Sequence, residues 1–266
     1  MPLVTTSTDA LGITTITLCD EANLNAMSEE MAAEFKATIL SLKKAAATNI
    51  IILTGAGKSF SAGGHLVMLD RKRTLTPDEN QRGMRSFYDS FLSILTLNVP
   101  IIAALQGAAV GAGLCLACAA DIRIASDDAK LGFTFLKLGL HPGMGGTFLV
   151  PRVVGSSVAT ELLLTGRVIS AQEALKHGLI SRISTPEKLL DDARSIAHEM
   201  LACGPTARIQ LLETMRRDLT GLPAALEREA QCQAINYASP EFAEGLAAVR
   251  EKRVPSFAKG ASIARK

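Results

Sequence analysis

No excess of charge of either sign marks this chain: its 266 residues carry 28 Lys and Arg against 26 Asp and Glu, a formal net charge of +2. So balanced a surface offers no broad attraction for nucleic acid or anionic lipid, and any anion must be held by a local cluster. Neither nucleic acid nor a membrane is expected as a partner. The opening residues, Met-Pro-Leu-Val-Thr-Thr, lack a basic segment followed by an apolar core, so no secretory signal is read there and a cytoplasmic location is expected. Cysteine is scarce as well. The five at positions 19, 115, 118, 203 and 232 are an odd number scattered through a long chain, a poor basis for a disulfide framework, and are expected as reduced thiols.

Signatures of several common chemistries are missing. Cys115 and Cys118 form a Cys-x-x-Cys, but no second pair or nearby histidine completes a zinc site; both are read as buried helical residues, and no metal is expected. Gly55-Ala56-Gly57-Lys58-Ser59 imitates the end of a phosphate-binding loop, yet Ile52 stands where that loop needs its first glycine. Gly107, Gly111 and Gly113 do not follow the dinucleotide spacing, and no Gly-x-Ser-x-Gly elbow occurs. Charge is absent altogether between Asp89 and Asp121. That length permits a membrane span, but Pro100, the polar break Gln106-Gly107 and the lack of a flanking Lys/Arg cluster favour a buried strand followed by a buried helix.

What is present alternates. Residues 13–18 and 49–54 are β-branched runs that read as strands, and between them Met31, Phe35, Ile39 and Leu42 recur at helical spacing. A helix is expected over 28–44, with Ser28 as its N-cap and Glu29 and Glu30 in its first turn. Residues 100–106, 111–120 and 121–125 read as strand, apolar helix and strand. The alternation favours an α/β layer architecture. From about residue 186 the pattern turns helical, with segments near 187–203, 205–218, 222–238 and 241–251.

Several segments, in order, carry a resemblance. They are Asn23-Leu24-Asn25-Ala26-Met27, Phe60-Ser61-Ala62-Gly63-Gly64, and Gln106-Gly107-Ala108-Ala109-Val110-Gly111-Ala112-Gly113 leading to Ala120-Asp121. Further on stand Leu138-Gly139-Leu140-His141-Pro142-Gly143-Met144-Gly145-Gly146-Thr147, Leu163-Leu164-Thr165-Gly166, Ala171-Gln172-Glu173-Ala174, Gly178-Leu179-Ile180, Glu244-Gly245 and Glu251-Lys252-Arg253. Together they resemble the crotonase (enoyl-CoA hydratase/isomerase) superfamily over nearly the whole chain.

The resemblance implies a spiral of ββα turns over residues 1–195 and a helical oligomerisation region over 196–266, assembled as a homotrimer or homohexamer. It implies an acyl-CoA or related thioester as ligand and no cofactor beyond the coenzyme A that the substrate carries. A thioester turned into an enolate places negative charge on its carbonyl oxygen, which two backbone N–H groups can hold. By resemblance these belong to Gly64 and to Ala112, the latter at a helix start. Asn25, Ala26, Ala62 and Gly63 are implied to hold the coenzyme A, with Tyr237 and Lys252 reaching its nucleotide from the C-terminal helices.

The chain departs from the family at the proton-handling positions. A hydratase of this kind uses one glutamate on the helix after the second N–H donor and one after the next strand. Cys115 and Phe135 occupy those positions, which leaves them to line the substrate, and Gly143 stands where some isomerases place an aspartate. His65 and His141 are the nearest titratable substitutes. Ordinary hydration is therefore doubtful. An enoyl-CoA hydratase/isomerase-like lyase or isomerase with atypical residues is one reading; a decarboxylase of an acyl thioester, or a protein that binds acyl-CoA without turnover, is the other.

Overall fold

The structure is a computed structural model describing residues 1–45 and 47–257. Its strands fall into two sheets. The larger has the order β1 (Val4–Thr8), β2 (Ile13–Leu18), β3 (Ile50–Gly55), β5 (Ile101–Leu105), β7 (Ile122–Ser126), β10 (Arg182–Ser184), and the smaller β4 (Ser59–Ser61), β6 (Ala108–Val110), β8 (Lys130–Gly132), β9 (Val168–Ser170). Only β1 on β2 and β8 on β9 pair antiparallel. From β3 to β8 the chain places one strand in each sheet in turn, so each circuit adds a parallel strand to both. This is the ββα winding the resemblance implies. Parallel strands covered on both faces need apolar residues throughout, and β3 and β5 are buried at every position.

Helices occupy the crossovers. α1 (Glu29–Lys44) joins β2 to β3, α2 (Leu66–Arg71) and α3 (Pro77–Leu92) follow β4, and α4 (Ala112–Cys118) follows β6. α5 (Gly146–Val154), α6 (Ser156–Thr165) and α7 (Ala171–Lys176) flank β9; α8 (Leu189–Leu201), α9 (Pro205–Arg216), α10 (Leu222–Tyr237) and α11 (Pro240–Arg250) end the described chain. Ser28 caps α1 as expected, its side chain accepting from the Met31 N–H. All five thiols are free, and Cys115 and Cys118 are buried in α4. Among the described residues no helix is long and apolar enough to cross a membrane.

The charge-free stretch needs correction in detail. It begins in the last turn of α3, passes a 3-10 turn at Ser93–Thr96, and only then enters β5, β6 and α4. No element was expected over 77–92, although Thr76 and Glu79 form a reciprocal capping box and Pro77 opens the helix. Met84, Phe87, Tyr88 and Phe91 are the buried stripe of α3, and α10 packs on it. α8 crosses residue 195 and closes the outer face of the large sheet, where Leu189, Ala193 and Ile196 meet Ile50, Ile52 and Ile124.

Candidate active site

The two glycine turns that follow β4 and β6 abut. A Cβ built on Gly63 would lie 3.5 Å from the Ala112 nitrogen and 2.8 Å from the Val110 oxygen, so only a residue without a side chain lets these backbones meet. Met27 bridges Gly64 in parallel, donating to Gly63 O and accepting from His65 N–H, which leaves the Gly64 N–H directed the other way. Ala112 is the first residue of α4, whose N–H has no partner within the helix. Gly111 precedes it at φ 54°, ψ −126°, and its own N–H donates to Gly132 O. Among the described residues no protein acceptor faces the N–H of Gly64 or of Ala112, and both residues line the same cavity.

That cavity holds about 360 Å³. Its apolar wall includes Met68, Leu69, Met84, Phe87, Phe135 and Met144. Thr134, Lys137, Tyr88, Gln233 and Tyr237 supply its polar side chains, and no Asp, Glu or His belongs to the described lining. Phe135 fills its position as an apolar wall. Cys115 sits behind the lining against Gly146, whose Cβ would come 3.0 Å from the sulfur. Burial, Cys118 and Glu229 push its thiol well above the ordinary value, so it is no thiolate.

The other expected residues separate. His65 is the N-cap of α2 and faces a different hollow with Glu30 and Arg71. His141 lines a third hollow beside Thr160 and Glu241; its Nδ1 lies 2.7 Å from Pro142 O, and burial lowers its pKa below the ordinary 6.5. Asn25 is fully buried at φ 55°. Its side chain accepts from Asp20 N–H and donates to Ala56 O and Ser59 O, which commits it to holding the loop. Ala26 is buried beside it, while Ala62 and Gly63 line the cavity. Tyr237 is buried in the cavity wall, and Lys252 lies in the exposed turn after α11 at φ 54°.

Sequence reasoning missed the polar face of α10. Glu229, Gln233 and Asn236 recur at three- and four-residue spacing and all reach the loop 141–147. Glu229 accepts from the N–H groups of Gly145 and Thr147 at 2.8 Å, Gln233 donates to His141 O at 2.8 Å, and Asn236 accepts from His141 N–H at 2.7 Å. Burial raises the Glu229 carboxyl above its ordinary value, opposed by those Thr147 and Gly145 bonds. The signal was the i, i+4, i+7 spacing of polar residues, on a helix expected only to support assembly.

The family model of enoyl-CoA hydratase/isomerase matches residues 8–260. A probable enoyl-CoA hydratase of Mycobacterium tuberculosis is 37% identical over 249 residues, covering 89% of this chain and 93% of that one. A 1,2-epoxyphenylacetyl-CoA isomerase of Escherichia coli is 35% identical over 251 residues, covering 92% and 95%. The crystal structure of an enoyl-CoA hydratase/isomerase from Pseudoalteromonas atlantica superimposes with a TM-score of 0.83 at 28% identity, covering 96% of this chain and all of that one. The chain belongs to the enoyl-CoA hydratase/isomerase family and has the crotonase fold.

Proposed function

We propose that this protein binds an acyl-CoA thioester with its carbonyl oxygen at the N–H groups of Gly64 and Ala112, and that it is a poor hydratase. One observation carries both halves: among the described residues, a single cavity joins two N–H groups that have no protein acceptor to a lining without carboxylate or imidazole. Preformed donors stabilise charge that develops on the carbonyl oxygen. They neither deprotonate water nor place it, which is the work of acid/base side chains. The names of the two sequence relatives span hydration and isomerisation at similar identity, and both support a coenzyme A thioester as the substrate class. No cofactor is required beyond the coenzyme A of the substrate.

The reaction such a site suits is decarboxylation. Loss of carbon dioxide from a malonyl-type or methylglutaconyl-type thioester leaves its electron pair as the enolate, whose oxygen the two N–H groups hold until solvent protonates carbon. The carbonyl stretch of bound 1-¹³C-acyl-CoA should fall in frequency, and Ala112→Pro, which leaves only the Gly64 donor and is checked for folding by circular dichroism, should reduce the shift. A free-solution frequency in the wild type would sink the assignment. Carbon dioxide release separates a decarboxylase from a protein that only binds. His65→Ala and His141→Ala should leave it unchanged, since neither residue lines the cavity.

We further infer a homotrimer or homohexamer, because α9 exposes Leu211 and Met215, at 63% and 72%, to solvent in the single chain. Light scattering should give three or six times the 28.1 kDa chain mass. A stable monomer would contradict it.

A further inference from the structure

Met144 stands where backbone geometry favours glycine. Its φ of 58° lies in the left-handed region, and Gly145 follows at φ 74°. A Cβ crowds the backbone there, so the conformation is costly and persists only where its surroundings impose it. Of the four non-glycine residues at positive φ among the described residues, Leu24, Asn25, Met144 and Lys252, only Met144 lines the cavity of Gly64 and Ala112. It is fully buried.

The group placed to impose the conformation is Glu229 of α10. Its Oε2 accepts from the Gly145 N–H and its Oε1 from the Thr147 N–H, both at 2.8 Å, with the Thr147 hydroxyl as a third donor. Three donors around one carboxyl suit its ionised, acceptor-only form. The Gly145 N–H belongs to the peptide that joins Met144 to Gly145, so the bond to Glu229 acts directly on the ψ of Met144. At the other end of the same loop Gln233 and Asn236 hold the backbone of His141. Glu229 is itself fully buried, and no cation is among the groups acting on its carboxyl. An uncompensated carboxylate is a costly way to cap a helix, which a serine or asparagine at the N-cap does while staying neutral.

We propose that Glu229 is a positioning residue that holds Met144 in the left-handed conformation and so keeps the Met144 side chain in the wall of the acyl cavity. The inference rests on that cavity being the acyl site. Without the bond to Gly145, Met144 relaxes to negative φ, the 144–145 peptide turns over and the wall loses its shape.

The test starts from Glu229→Gln, which keeps the size of the side chain but puts an amide NH2 where one oxygen accepted. With the remaining oxygen drawn to the two donors of Thr147, the Gly145 N–H faces another donor. Calorimetry should show butyryl-CoA bound about fivefold more weakly than by the wild type, about the worth of one buried hydrogen bond, with free coenzyme A within about twofold. The second readout is the melting temperature in a Met144→Gly background. Glycine takes the left-handed conformation without strain, so Glu229→Gln should lower the melting temperature there by no more than about half of what it does beside Met144. Equal melting losses in the two backgrounds would show that Glu229 only caps α5 and would overturn the inference, as would equal weakening of butyryl-CoA and coenzyme A. Should Glu229→Gln alone fail to fold, recovery of a folded protein by adding Met144→Gly supports the inference, and failure of the double variant overturns it. If butyryl-CoA does not bind the wild type while the melting losses differ as expected, the acyl-CoA reading falls and the coupling of Glu229 to Met144 stands.

Discussion

At the scale of single residues, His141 shows how burial and hydrogen bonding engage a titratable side chain outside the cavity of Gly64 and Ala112. Its backbone N–H and carbonyl are both held by α10, and its Nδ1 faces the Pro142 carbonyl, which fixes the neutral ring with hydrogen on Nδ1. Because burial lowers its folded pKa below the ordinary 6.5, the unfolded chain binds more protons between those two values. Stability therefore rises with pH through that window and is lost on acidification. The melting temperature should fall between about pH 7.5 and about 5.5, and by less in His141→Asn; equal falls would show that His141 stays as easily protonated as in the unfolded chain. The sequence made His141 visible as a titratable residue near the expected pocket. Which of three hollows it faces depends on the contacts of α10, some 90 residues away, and no local pattern carries that.

Elements differ in how far their own residues dictate them. β2 matches the expected strand because its β-branched run after Gly12 favours extended backbone over helix, and α1 begins at its cap for the reason read from Ser28. α3 was legible and unread: Thr76, Pro77 and Glu79 announce its start, and Met84, Phe87, Tyr88 and Phe91 keep a helical stripe through the edge of the charge-free stretch. Overlooking it hid Tyr88. The short strands of the small sheet are different, since three residues such as Ala108–Val110 carry too little periodicity to separate a strand from a turn. They exist because each lies beside a neighbour from another circuit of the spiral. α10 unites both cases: its buried Leu226, Ala230 and Tyr237 declare a core face, but only the fold shows that Glu229 and Gln233 brace the loop of the active cavity.

Over the whole molecule, two sheets wound together bring residues 63–64, 112, 135 and 143 to one cavity from separate circuits. Order along the chain was sufficient to anticipate the Gly64 and Ala112 pairing by resemblance, because each turn must place its glycine loop at the same end of the spiral. The contents of the cavity were less legible, since side chains from α3 and α10 enter it from outside the recognised segments. We infer that this cavity offers carbonyl-binding N–H groups without groups that activate water. The most direct measurement is the loss of enoyl thioester absorbance when purified protein meets crotonyl-CoA, beside Phe135→Glu and the Cys115→Glu, Phe135→Glu double variant. Acid/base groups contribute ~10²–10⁴-fold, so wild-type hydration should lie at least about 100-fold below Phe135→Glu, and the double variant should exceed that single change little, because Phe135 lines the cavity and Cys115 sits behind it. Wild-type turnover of about 10–10³ per second, the range of ordinary enzymes, would contradict the claim and show that another group activates water.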